Sequence, residues 1–206
     1  VFKLEVKERI LTIAGELFRD FGAKRVTMDD IATELGMSKK TIYQYYKDKN
    51  ALVYEATKVV LERQERELQQ IEEEAEGAMD LALRTTTYFR KEFGNVNQAI
   101  LDDFRKYYPE TWELYLSYKK NCFIGSITEN IQKGQEEGVF RKDVDINLIS
   151  KLRIHLVELG FNKDTFPLED KPLHYIQDQL FEVFLRGIAT AKGLEIIEQY
   201  TEKINN

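Results

Sequence analysis

The sequence predicts an all-α fold: an N-terminal three-helix helix-turn-helix domain followed by a larger C-terminal helical body, with roughly nine to ten helices in all. Three observations predict it. The 206-residue chain has only three prolines and is rich in Leu, Glu, Lys, Gln and Ile, which favour helix. Apolar residues recur at helical spacing, and no alternating run bounded by turn clusters suggests a strand. Gly22, Gly36, Gly77, Gly94 and Gly193 fall at the ends of the periodic stretches, and Pro109 and Pro172 at their starts.

The elements follow in order. Leu4, Ile10, Leu11, Ala14, Leu17, Phe18 and Phe21 give a first helix over 3–21, and Gly22 is its expected C-terminal cap. Thr27 caps a second helix, with Asp30 three residues on as a capping box. Ile31, Ala32 and Leu35 form its buried side, and Gly36 ends it. Met37 plugs the turn, and Ser38 caps a third helix from about Lys39 to Tyr46. Asp48 caps a fourth helix that runs to about Ala75 through a densely charged second half.

Gly77 breaks the chain before a fifth helix over 78–93, and Gly94-Asn95 is the next turn. A short sixth helix spans about 96–106. Pro109 opens a long seventh helix to about Glu137. Asp145 caps an eighth helix to about Phe161, which is apolar nearly all round and so requires cover on two sides. Pro172 opens a ninth helix to about Ala191, and Gly193 is read as the break before a short last helix over 194–204.

Composition narrows the function classes. Hydrophobic residues make up 43% and charged residues 32%, which suits a packed core with a charged surface. The single cysteine, Cys122, excludes an internal disulfide and a cysteine-based zinc site. No apolar stretch approaches the ~18 residues of a membrane span. No signal peptide opens the sequence, so the expected compartment is the cytoplasm. Net charge is −6, yet residues 1–50 hold ten Lys/Arg against eight Asp/Glu. A mildly basic head on an acidic body fits nucleic-acid contact through one end.

Three enzyme signatures are missing. A di-iron bundle needs Glu-x-x-His pairs, but His155 and His174 are preceded three residues back by Leu152 and Lys171. No Gly-rich phosphate loop or G-x-S-x-G elbow occurs. No cofactor and no metal are expected. A helical interaction module that has lost nucleic-acid binding is the other alternative. Lys39, Lys40, Lys47 and Lys49 around an exposed Gln/Tyr face argue against it.

In the third helix, Ile42 and Tyr46 point to one side and Lys40, Thr41 and Gln44 to the other, with Tyr43 and Lys39 on the shoulder. The buried side fixes the helix and the outer side is free to meet a DNA groove. Lys40 and Gln44 are the candidates for base edges. Thr41 and Tyr43 are candidates for thymine methyls or phosphates, and Thr27, Lys39, Tyr45 and Lys49 for phosphates.

The run Leu17-Phe18, Gly22, Val26-Thr27, Ile31-Ala32, Leu35-Gly36-Met37-Ser38, Thr41 to Tyr46, Lys49 and Leu52 closely resembles the N-terminal domain of tetracycline-repressor-like (TetR) transcriptional regulators. The resemblance covers roughly residues 5–55. The chain departs from the family at Lys40, where Gly is most frequent, and at Tyr45 and Tyr46, where His and Phe are common. The resemblance implies a DNA-binding domain over 1–47 and a ligand-binding and dimerisation domain over 48–206, without enzymatic activity. It also implies a homodimer on a palindromic operator, released by a small-molecule effector.

The family's pocket lies among helices four to seven. In this chain that implies Phe89, Phe93, Phe104, Tyr108 and Trp112, with Tyr115, Tyr118, Cys122 and Phe123. The apolar eighth and ninth helices are the expected dimer interface, through Ile149, Leu152, Leu156 and Leu159 on one and Ile176, Leu180, Phe184 and Ile188 on the other.

Overall fold

The computed structural model describes residues 2–93, 96–167, 169 and 171–205. The turn expected at Gly94-Asn95 lies outside the described residues, as do the side chains of Leu4 and Ile204. The described residues are all-α, with a lone antiparallel bridge between Phe140 and Ala189. No helix among them is long and apolar enough to cross a membrane.

The chain divides into two compact units. Unit 1 comprises 1–65 and 95–118, and unit 2 comprises 66–94 and 119–206. Unit 1 holds α1 (Phe2–Phe21), α2 (Met28–Leu35), α3 (Lys39–Tyr43), the first part of α4 (Lys49–Glu74), α6 (Ile100–Tyr107) and α7 (Pro109–Tyr118). Its core joins Ile10, Ala14 and Phe18 of α1 to Ile31, Leu35 and Ile42, and to Leu52, Val53 and Ala56 of α4. Phe104 and Tyr108 complete this core from 50 residues further along the sequence.

The caps form where the sequence predicts them. The Thr27 hydroxyl accepts from Asp30 N–H at 3.1 Å, and Asp30 Oδ2 accepts from Thr27 N–H at 2.8 Å. Ser38 Oγ accepts from Thr41 N–H, and Asp48 Oδ1 accepts from Ala51 N–H at 2.8 Å. Each side chain satisfies a donor that a helix start leaves without a partner.

Unit 2 holds the end of α4, α5 (Ala78–Glu92), a π-helical turn (Lys119–Phe123), α8 (Ile124–Glu136), α9 (Ile146–Gly160), α10 (Leu173–Ile188) and α11 (Ala191–Asn205). Its core gathers Met79 and Leu83 of α5, Ile131 of α8, Phe140, and Phe181, Phe184, Leu185 and Ile188 of α10. Asp145 Oδ1 accepts from Leu148 N–H at 3.0 Å and caps α9 as expected.

Three expectations are corrected. The single helix from Pro109 to Glu137 is interrupted by the π-turn at Lys119–Phe123, an inserted-residue irregularity that apolar spacing does not register. The third helix ends at Tyr43 rather than Tyr46, although Gln44 keeps right-handed helical angles as the C-cap. Gly193 lies within the first turn of α11 instead of breaking the chain ahead of it. A glycine is needed there because a Cβ would run into the carbonyl oxygen of Val139.

Candidate nucleic-acid interface

The outward face of α3 is built by three constraints. Ile42 is fully buried and anchors the helix to unit 1. Gly36, at φ +63°, makes the left-handed turn that reverses the chain between α2 and α3. Ser38 then starts α3 at a fixed angle. These constraints leave Lys40, Tyr43 and Gln44 exposed. Lys40 and Gln44 are four residues apart in helical conformation, so they lie on one face. Among the described residues, neither side chain makes a hydrogen bond or ion pair.

The other sequence candidates are partly engaged within the unit. Lys39 Nζ donates to Asp29 Oδ2 at 2.7 Å, which ties α3 to α2 and raises the lysine pKa. Both groups are exposed, so the pair is a weak restraint. The Thr41 and Ser38 hydroxyls share a 2.8 Å hydrogen bond. Thr27 is exposed, with its hydroxyl donating to Asp30 at 2.8 Å. Backbone and side-chain bonds from Thr27 hold the Asp30 carboxyl below its usual range. Tyr45 is half-buried against the core.

Lys49 faces inward more than its sequence position suggests. Its ammonium donates to Lys24 O at 3.1 Å and lies 5.7 Å from the centre of the Tyr108 ring. Burial lowers its pKa, against the pull of Asp103 and Asp30.

Residues 96–108 supply a set of contacts to the reader that the sequence did not reveal. Asp103 Oδ2 accepts from Lys24 N–H at 2.9 Å, and Lys24 Nζ donates to the Tyr107 hydroxyl at 2.6 Å. Tyr108 donates its hydroxyl to Ala23 O at 3.0 Å in a buried setting, and burial pushes that phenol up to about 12. Asn97 N–H donates to Arg19 O at 2.6 Å. The loop between α1 and α2 is thus clamped by α6 and its flanks. The partners are about 80 residues apart, a separation over which no local pattern carries a signal.

The expected pocket residues fall into two groups. In unit 1, Phe104 and Tyr108 are core residues, Trp112 packs against that core, and Trp112 and Tyr115 stack at 5.4 Å between ring centres. Tyr118 is the last residue of α7. In unit 2, Phe89 and Phe93 stack at 5.3 Å, and Phe93 meets Phe161 edge-on at 5.4 Å. Cys122 and Phe123 are half-buried in the π-turn.

The expected interface residues also divide. Ile176, Phe184 and Ile188 are buried in unit 2, and Ile149, Leu156 and Leu180 are half-buried. Leu152 and Leu159 are exposed. Leu148 at 64% and Val183 at 75% are exposed further still, although neither was singled out from the sequence. The helical repeat marks Leu148, Leu152 and Leu159 as one face of α9.

Comparison with known proteins supports the same reading of the head. Residues 10–56 match the family model described as bacterial regulatory proteins, tetR family. Over 50 residues the chain is 42% identical to an HTH-type transcriptional regulator of Staphylococcus aureus (strain USA300), a match covering 24% of this chain and 27% of that protein. The match thus spans about a quarter of the relative's length.

Two solved structures share the fold over nearly the whole chain. A transcriptional regulator from Cytophaga hutchinsonii superposes with a TM-score of 0.67 at 23% identity, covering 92% of this chain and 100% of that one. A TetR-family transcriptional regulator from Agrobacterium tumefaciens superposes with a TM-score of 0.76 at 14% identity, covering 89% and 97%. Residues 10–56 thus match the model of the tetR family of bacterial regulatory proteins, and over nearly its whole length the chain shares the helical fold of these regulators.

Proposed function

We propose that the chain is a ligand-responsive transcriptional regulator, a repressor that binds a palindromic operator as a homodimer and is released by a small molecule. The observation that carries the reading is the Lys40–Gln44 face, exposed on a helix whose opposite side is locked by buried Ile42. A lysine in the major groove suits guanine O6 and N7, and a glutamine suits adenine N6 and N7. One such helix reads only a few base pairs. Two copies under dyad symmetry read half-sites about 34 Å apart, which is why specificity requires the dimer.

The exposed leucines of α9, with Val183 of α10, are the proposed dimer surface. Their apolar side chains stay exposed among the described residues of unit 2, and an isologous pairing of two copies supplies the cover. Release by an effector is a shift between two spacings of the paired heads. α4 runs without a break from unit 1 into unit 2, which makes it the proposed lever. A coupling of about 1–3 kcal/mol is sufficient for such a switch.

The test is fluorescence anisotropy with duplexes from the chain's own upstream region and a scrambled duplex. Tight, salt-sensitive binding to a palindromic segment, lost in the scrambled control, is expected. Equal affinity for both duplexes rules out sequence-specific regulation.

A further inference from the structure

The seam between α9 and α10 contains a cation that pairs with no anion among the described residues. The Arg153 guanidinium lies 4.8 Å from the centre of the Phe181 ring and 5.9 Å from that of Phe184. Its Nη1 is shut off from solvent and makes no hydrogen bond. Every carboxylate on the two helices is engaged elsewhere. Glu158 pairs with Lys119 at 2.7 Å and His155 at 3.0 Å, Asp178 with Arg90 at 2.8 Å, and Glu182 with Arg186 at 3.0 Å. Burial pushes the guanidinium down to about 10, so it remains charged at neutral pH. One turn further along the seam, Gln177 donates Nε2 to Val157 O and leaves Oε1 without a partner.

Packing does not explain an arginine at this position. Its stem covers the aromatic rings, but methionine or leucine covers them as well and carries no charge out of water. Contact with two ring faces recovers only part of the desolvation cost. A guanidinium with its buried Nη1 left without a partner is retained at lower cost when something from outside the chain completes it.

We propose that Arg153 anchors the effector, and that the effector is an organic carboxylate whose apolar body lies against Phe181 and Phe184. The proposal rests on the reading of the chain as a ligand-responsive regulator and adds the chemical class of the ligand. A planar carboxylate meets the guanidinium fork through two parallel hydrogen bonds. It also leaves no residual charge, whereas a phosphate dianion leaves one charge uncompensated beside a single arginine. The apolar body follows from the aromatic pair and from Ile149 and Leu156, which pack against the same core.

Isothermal titration of the full chain tests it, using benzoate, decanoate and dodecanoate and the corresponding primary amides. At least one acid is expected to bind about ten- to a hundredfold more tightly than its amide, the scale of a hydrogen-bonded charge pair. Arg153→Met is expected to erase that preference while melting no lower than the wild type. Arg153→Lys, which keeps the charge without the fork, is expected to bind acids more weakly yet still prefer them. It also keeps the test decisive if the methionine variant fails to fold.

Equal affinity for acid and amide, unchanged acid binding in Arg153→Met, or no binding by any acid overturns the proposal. So does a methionine variant that sediments as a monomer with acid binding intact, which assigns the guanidinium to a second copy. Operator binding measured in parallel separates the two readings. If the neutral amides release DNA and the acids do not, the anchor fails and the regulator stands. If no operator is bound, the regulator reading fails while acid binding at Arg153 is still measured.

Discussion

Lys40 and Gln44 differ from their neighbours on the reader because their side chains are exposed and not engaged with described residues. Their substitution therefore acts on recognition and not on folding. Gln44→Ala is expected to relax base preference at one position of each half-site, and Lys40→Ala at another, each by about 1–3 kcal/mol. Selection from a randomised duplex pool reads this directly, and thermal midpoints are expected to stay at the wild-type value. Loss of affinity for all sequences alike moves either residue to the phosphate class. Lys49 presents the contrasting case, since its ammonium already holds Lys24 O. Lys49→Ala is expected to weaken all sites uniformly, flattening the log–log salt dependence by about one unit. It is also expected to cost about 0.5–1 kcal/mol of stability through the lost bond to the loop. A flattened salt dependence without any loss of stability contradicts the inward role.

At the scale of elements, legibility followed range. The caps at Thr27, Ser38, Asp48 and Asp145 were legible because each joins residues three apart. Gly36 was legible because a residue that ends a helix in the left-handed region is usually glycine, and the structure gives +63°. Beyond its chain neighbours, no described atom lies within 4 Å of where its Cβ would sit, so Gly36→Ala tests the backbone alone. It is expected to cost about 1–2 kcal/mol, with Gly36→Asn milder because asparagine tolerates the left-handed region. Equal melting of wild type and the alanine variant removes the argument. The clamp on the α1–α2 loop was not legible: Tyr108 read as a pocket residue, and the loop groups that Asp103, Tyr107 and Tyr108 bind lie about 80 residues away. The phenol of Tyr108 gives the cleanest test. Tyr108→Phe leaves Ala23 O without its buried donor and is expected to cost about 1–3 kcal/mol. Midpoint urea concentrations at constant m-value measure that loss. The π-turn and Gly193 escaped for the same reason: one is an inserted residue and the other a close approach to Val139, and neither changes apolar periodicity.

At the scale of the whole molecule, the question is how one weak reader becomes specific. The all-round apolar character of α9 was plain in sequence, and the structure resolves it into two sides. Ser150 and Ile154 face the interior, while Leu148, Leu152 and Leu159 face out. The sequence alone did not separate the sides, because isoleucine and leucine fill both and only the packing of unit 2 decides which side is used. Val183, at 75% exposure, extends the apolar surface onto α10. Leu148 and Val183 are both mostly exposed, so Leu148→Glu with Val183→Glu is expected to leave the monomer intact. Placed on a two-fold interface, the pair sets four like charges against apolar surface. The expected result is a monomer by sedimentation equilibrium with unchanged helical circular dichroism. Operator affinity is then expected to fall by several orders of magnitude while binding to a single half-site survives, since the Lys40–Gln44 face of each head is untouched. A double variant that remains dimeric and keeps full operator affinity places the pairing surface elsewhere. One that loses half-site binding as well ties the head's own fold to the dimer, a dependence that the separate core of unit 1 argues against.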